Sequence, residues 1–120
     1  MKYKIEFELS GLPKMTNAIS NHWFIRKKEA DKWKNLVALA LAGQQPKRAL
    51  AKASLVLTRC SSQPPDPDGL VSGFKHVIDG LVACGVLEND KYENIGFPVY
   101  LWEKVPNKQG KIKIKLQENA

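Results

Sequence analysis

The chain has 120 residues, 43% hydrophobic and 26% charged, with two cysteines and a formal charge of +7. That length fits one domain, the composition excludes wholesale disorder, and no apolar run approaches the ~18 residues of a membrane-spanning helix. The charge is lopsided: residues 1–60 carry twelve Lys/Arg against four acids, and residues 61–120 seven against eight. A basic field of this kind attracts polyanions, nucleic acid first among them, although simple solubility has the same signature.

The N-terminus alternates charge and apolar residues with no apolar block, so neither a secretory signal nor an Arg-rich transit peptide is expected, and the protein is expected in the cytoplasm. Residues 2–9 keep strict period two, with Tyr3, Ile5, Phe7 and Leu9 on one face, which predicts a strand packed on one side. Gly11 and Pro13 end it. Residues 14–25 follow no period and form a polar-aromatic loop containing Asn17, His22, Trp23 and Phe24. Residues 26–42 read as a helix whose apolar stripe is Trp33, Leu36, Val37, Ala40 and Leu41, with Gly43 as its stop. Arg26, Lys27 and Lys28 sit at its N-terminus, against the helix dipole, where they gain nothing unless a phosphate visits.

Residues 51–60 carry apolar side chains on both faces and predict an interior strand. A turn-rich segment follows, Ser61 to Gly69, and residues 70–84 return to helical spacing through Leu70, Phe74, Val77, Ile78, Leu81 and Val82, with Gly85 as the stop. Residues 93–105 read as a strand with Ile95, Phe97, Val99 and Leu101 on one face and Pro98 marking an edge or bulge. Residues 106–110 read as a hairpin-type turn into a last strand, where Ile112, Ile114 and Leu116 alternate with Lys111, Lys113 and Lys115. Those lysines fit a solvated face or a guarded edge. The predicted order is β-α-β-α-β-β, a small α+β domain with a mixed sheet and helices packed on it. Cys60 and Cys84 sit in apolar stretches without partners at metal spacing and are expected as reduced thiols.

The chemistry concentrates at Pro65-Asp66-Pro67-Asp68-Gly69. In an extended backbone two carboxylates at i and i+2 point the same way, and two like charges on one side call for a cation between them. Oxygen-only ligands select Mg²⁺ or Mn²⁺. The bland reading is an exposed turn with Asp68 as a helix N-cap. A short helix followed by a turn can return Asp90 to the same place, and Lys75 on that helix offers either a phosphate-directed cation or a surface pair with Asp79. Three carboxylates in a basic protein match a metal-dependent enzyme acting on nucleic-acid phosphates.

The run Asp66-Pro-Asp68-Gly-Leu70, then Phe74-Lys75-His-Val-Ile78-Asp79-Gly-Leu81, then Gly85-Val86 and Asn89-Asp90, resembles the core of the RusA family of Holliday junction resolvases. Pro13, Asn17 and Trp33-Lys34 are similar to that family as well. The resemblance implies a RusA-like fold and a homodimer that binds four-way DNA junctions and, with Mg²⁺, makes paired symmetric nicks in recombination and repair. It implies metal-binding catalytic roles for Asp66, Asp68 and Asp90 and the essential-lysine role for Lys75, with no small-molecule cofactor and no membrane. Gly69 stands where the family motif has Asn, Asn89 replaces the first residue of an Asp-Asp pair, and Lys75 comes three residues later than in the motif's shortest form. These departures keep open an alternative, a catalytically weak or inactive junction-binding relative. The DNA contacts are expected at Asn17, His22, Arg26, Lys27 and Lys28.

Overall fold

A computed structural model describes residues 2–14 and 23–119. Four strands form one mixed sheet: β1 (Lys4–Ser10), β2 (Ala53–Ser61), β3 (Val99–Lys104) and β4 (Lys111–Glu118), in the spatial order β1-β4-β2-β3. β4 runs antiparallel to both β1 and β2, and β2 runs parallel to β3. The helices are α1 (Trp23–Leu41), α2 (Pro67–Gly73), α3 (Lys75–Ala83) and the single turn α4 (Tyr92–Ile95). The domain is thus α+β with a four-stranded mixed sheet, and no helix among the described residues is long and apolar enough to cross a membrane.

One face of the sheet is buried by helices. Leu9, Leu55, Leu57, Ile112, Ile114 and Leu116 meet Trp33, Val37 and Leu41 of α1 and Val77, Ile78 and Leu81 of α3 in one continuous core. The apolar stripe expected on the first helix is the stripe that packs. α1 begins at Trp23 rather than at residue 26, and beyond its end Ala42 and Gly43 take left-handed φ values of 49° and 81° as the chain turns away. α3 ends at Ala83, and just beyond it Gly85, at a φ of 83°, lets the Val86 N–H reach back to the Leu81 carbonyl at 3.0 Å.

Four expectations need correction. The helix expected over 70–84 is broken at Phe74 (φ −91°, ψ 1°), where the chain closes α2 and opens α3. The strand expected from residue 93 starts at Val99, because 92–95 coil into α4 and Gly96, at φ 58°, re-aims the chain. Its inward face is also the opposite one: Phe97 is 86% exposed and Val99 and Leu101 face outward, while Tyr100 packs on the core against Phe74. The 106–110 turn is not a hairpin. β2 lies between β3 and β4, so the turn carries the chain past the end of β2, where the Val105 N–H donates to the Ser61 carbonyl.

The open face of the sheet is held by charge. Lys113 pairs with Glu103 at 2.9 Å and Lys111 with Glu8 at 3.3 Å. Lys113 holds the Glu103 carboxyl below its ordinary value, while burial, followed by the Glu103 charge, pushes the Cys60 thiol up. The lysines of β4 therefore serve a solvated face of an interior strand, not a sheet edge. Both cysteines are free thiols.

Candidate active site

Pro67 occupies the first position of α2, where its missing N–H costs nothing. Asp66 is the N-cap, with φ −63° and ψ 148°, and Asp68 falls in the first turn, where a negative charge suits the helix dipole. The two carboxylates are therefore not neighbours on one extended strand: the first belongs to the cap and the second to the helix. Asp66, not Asp68, is the cap residue, and its side chain makes no capping hydrogen bond. Its carbonyl accepts from the Leu70 N–H at 2.8 Å, and Asp68 Oδ1 accepts from the Gly69 N–H at 3.0 Å. Both side chains are exposed.

Lys75 opens α3, is 68% exposed, and stands 3.6 Å from Asp79 one turn on. Asp90 lies in the turn after α3, where its N–H donates to Asn89 Oδ1 at 2.8 Å. That turn is tied to the sheet side of the molecule by a parallel bridge between Leu50 and Leu87: the Leu50 N–H donates to the Val86 carbonyl and the Glu88 N–H to the Leu50 carbonyl.

Lys75 and Asp90 meet in one cleft. It has a volume of about 320 Å³ and is walled by Ser72, Ile78, Gly96, Pro98 and Tyr100. Asp68 is placed one helical turn before Ser72, on the same side of α2 by the i, i+4 rule. Asp66 and Asp68 do not line the cleft. Among the described residues no three His, Cys, Asp or Glu side chains gather at a spacing that could hold a metal ion. The donor set of Asp66, Asp68 and Asp90 has the all-oxygen chemistry of a Mg²⁺ or Mn²⁺ site; the three-donor geometry is not assembled.

The basic cluster on α1 is split in its engagements. Lys27 is paired with Asp31 at 3.0 Å, Lys28 sits 5.9 Å from the centre of the Phe24 ring, and Arg26 is exposed. Asn17 and His22 lie outside the described residues.

One buried and one half-buried charge escaped the sequence reading. Glu29, only 7% exposed, accepts from Trp33 Nε1 at 2.9 Å and from the Lys14 N–H at 3.4 Å. Arg59 donates from Nη1 to the Pro13 carbonyl at 2.9 Å, and burial lowers its pKa. Together they anchor the 13–14 segment that follows β1. The signal for Glu29 was present: it precedes the stripe residue Trp33 by four positions, the spacing at which helical side chains meet. Arg59 had no such signal, because its partner is a backbone carbonyl distant in sequence. Compared with protein-family models and with curated proteins, the chain matches none.

Proposed function

We propose that this protein is a Mg²⁺-dependent, structure-selective endodeoxyribonuclease that cuts four-way DNA junctions as a homodimer. The observation that carries this reading is the cleft shared by Lys75 and Asp90, one helical turn from Asp68. A cation and a carboxylate in one open cleft suit a phosphodiester: the ammonium attracts the phosphate and offsets charge developing on it, and the carboxylate marks the side from which an attacking group is oriented. Tyr100, Ile78 and Pro98 give the cleft apolar walls, which strengthen those charges by thinning the water around them. The net charge of +7 favours a polyanionic substrate. The family resemblance of residues 66–90 adds the reaction class and the junction. In this reading Asp66, Asp68 and Asp90 would supply the oxygen donors, and a bound Mg²⁺ or Mn²⁺ would supply Lewis acidity and an activated water.

A second reading is a junction-binding dimer that does not cut. The ungathered carboxylates and the Lys75–Asp79 pair favour it. A synthetic four-way junction incubated with Mg²⁺ separates the two. The parent is expected to release paired nicked products, and Asp68→Asn to lose about 100-fold or more of that rate. Equal cutting by both rejects the residue assignment, whereas tight binding without nicking under Mg²⁺ or Mn²⁺ establishes the second reading.

A further inference from the structure

We propose a second polyanion-binding site, a basic cleft formed by Lys2, Lys47 and Arg48, that holds the phosphate backbone of a duplex DNA arm. The cleft has a volume of about 480 Å³ and is completed by Tyr3, Pro46, Leu50 and Glu118. None of its residues belongs to the acidic site or to the basic cluster of α1.

Its cations lack partners. Elsewhere four surface lysines are paired, Lys27 with Asp31, Lys75 with Asp79, Lys111 with Glu8 and Lys113 with Glu103; what sets this cleft apart is that three unpaired cations line one concavity. Among the described residues Lys2, Lys47 and Arg48 make neither an ion pair nor a side-chain hydrogen bond. The cleft holds a single carboxylate, Glu118, whose Oε1 accepts from the Tyr3 N–H at 2.9 Å and whose charge offsets one of the three cations. Three like charges around one concavity repel one another, and an anion between them relieves that repulsion. Tyr3, Pro46 and Leu50 give the cleft a largely apolar lining, and the Tyr3 hydroxyl donates to the Gln44 carbonyl at 2.8 Å. Low-dielectric walls of this kind focus the field outward.

Position selects the ligand. Leu50 lines this cleft and is bridged to Leu87, three residues before Asp90 of the other cleft. Beside it Asn94 Nδ2 donates to the Ala51 carbonyl, and the next residue, Ile95, lines that other cleft. The two concavities thus flank one seam, residues 50–51 against 87–94. A small anion would occupy one of them; a chain of phosphates can occupy the basic cleft and continue across the seam to Lys75. This inference rests on the nucleic-acid reading above but not on the assignment of its carboxylates.

Binding in EDTA, where no cutting occurs, tests it. Anisotropy titrations of a labelled four-way junction and a labelled linear duplex over a range of salt compare the parent with Lys47→Gln/Arg48→Gln and with the charge-matched Lys104→Gln/Lys108→Gln. Both substituted side chains of the test variant are exposed, so its melting temperature is expected to match the parent's. The test variant is expected to bind both DNAs about 10- to 100-fold more weakly at low salt, with its log–log salt slope reduced by about 1.8, the value for two lost phosphate contacts. An unchanged slope overturns the site, as does an equal loss in the control variant, which would assign the effect to net charge alone. A parent that binds neither DNA overturns both this site and the proposed function. Loss in the test variant while Asp68→Asn still cuts like the parent keeps the basic cleft and removes only the catalytic assignment.

Discussion

α2 and α3 meet at Phe74 and share one run of helical spacing, yet they are opposite in character. α3 buries Val77, Ile78, Gly80 and Leu81, whereas α2 buries only Gly73. α3 lies so close to α1 that a Cβ added at Gly80 would stand 3.3 Å from the Lys34 Cα and 3.4 Å from a Val37 methyl. α2 is one short segment with its acids in solvent. The difference teaches how a small domain separates stability from chemistry: the helix that holds the layer together begins with Lys75, and the acids are carried on the helix that the core barely touches. Substitutions on the buried face of α3 should therefore register as stability, and those in α2, or at the exposed Lys75 that opens α3, as activity.

The largest effect is expected from Leu81→Ala. Leu81 is fully buried among the α1 and sheet residues, so truncation leaves a cavity and loses about 2–5 kcal/mol. Urea denaturation measures it directly, and a loss below about 1 kcal/mol would mean that the α1–α3 layer can collapse onto the gap and is not the rigid member of the pair.

How far this division was legible in the sequence depends on the range of the interactions behind it. The local pattern identified β1, β4 and the packing stripe of α1, where the inward residues repeat at the period of the element, and β2, where apolar side chains lie on both faces. It also placed both glycine stops, Gly43 and Gly85, correctly. The break at Phe74 left no trace, since Leu70, Phe74, Val77, Ile78 and Leu81 keep helical spacing straight through it; the interruption changes a backbone angle, not the pattern. The face of β3 was misread because period two was counted from Ile95 and Phe97, which lie before the strand begins at Val99. In the folded chain Tyr100 reaches the core and Trp102 Nε1 donates to Ser61 Oγ, which leaves the smaller Val99 and Leu101 outside. The 106–110 turn has hairpin chemistry, but whether flanking strands pair is decided by β2 inserting between them, a non-local event. At the candidate site the strand-helix-turn spacing led one to expect Asp90 beside Asp66 and Asp68; the cleft joins Asp90 to Lys75 instead, and the same-side geometry of Asp66 and Asp68 fails because Pro67 starts a helix between them.

A smaller effect sharpens the contrast at Gly80. Gly80→Val inserts a branched side chain where even a methyl is tight against the Lys34 backbone, and α1 must move to admit it. Overpacking of this kind costs about 1–3 kcal/mol. Its diagnostic is where the strain goes: near-ultraviolet circular dichroism should register the disturbance of Trp33, which is fully buried on the same helix face as Val37. A variant as stable as the parent, with an unchanged tryptophan signal, would show that the two helices are separable and that Gly80 is incidental.

The smallest expected effect on stability is that of Asp68→Asn, and it is the one that gives the comparison its meaning. Asp68 is exposed, its one hydrogen bond is to the adjacent Gly69 N–H, and Asn retains an oxygen able to accept it. What disappears is the favourable placement of a negative charge in the first turn of α2, worth about 0.3–1 kcal/mol. Because α2 is only seven residues long and adds little to the core, part of even that energy is expected to vanish into local fraying rather than global unfolding. Thermal unfolding of Asp68→Asn should thus overlay the parent to within a few degrees. A clear loss of stability would place Asp68 in the framework instead. Any fall in junction cutting by that variant would then report unfolding, and the separation of α2 from α3 that the fold implies would not hold.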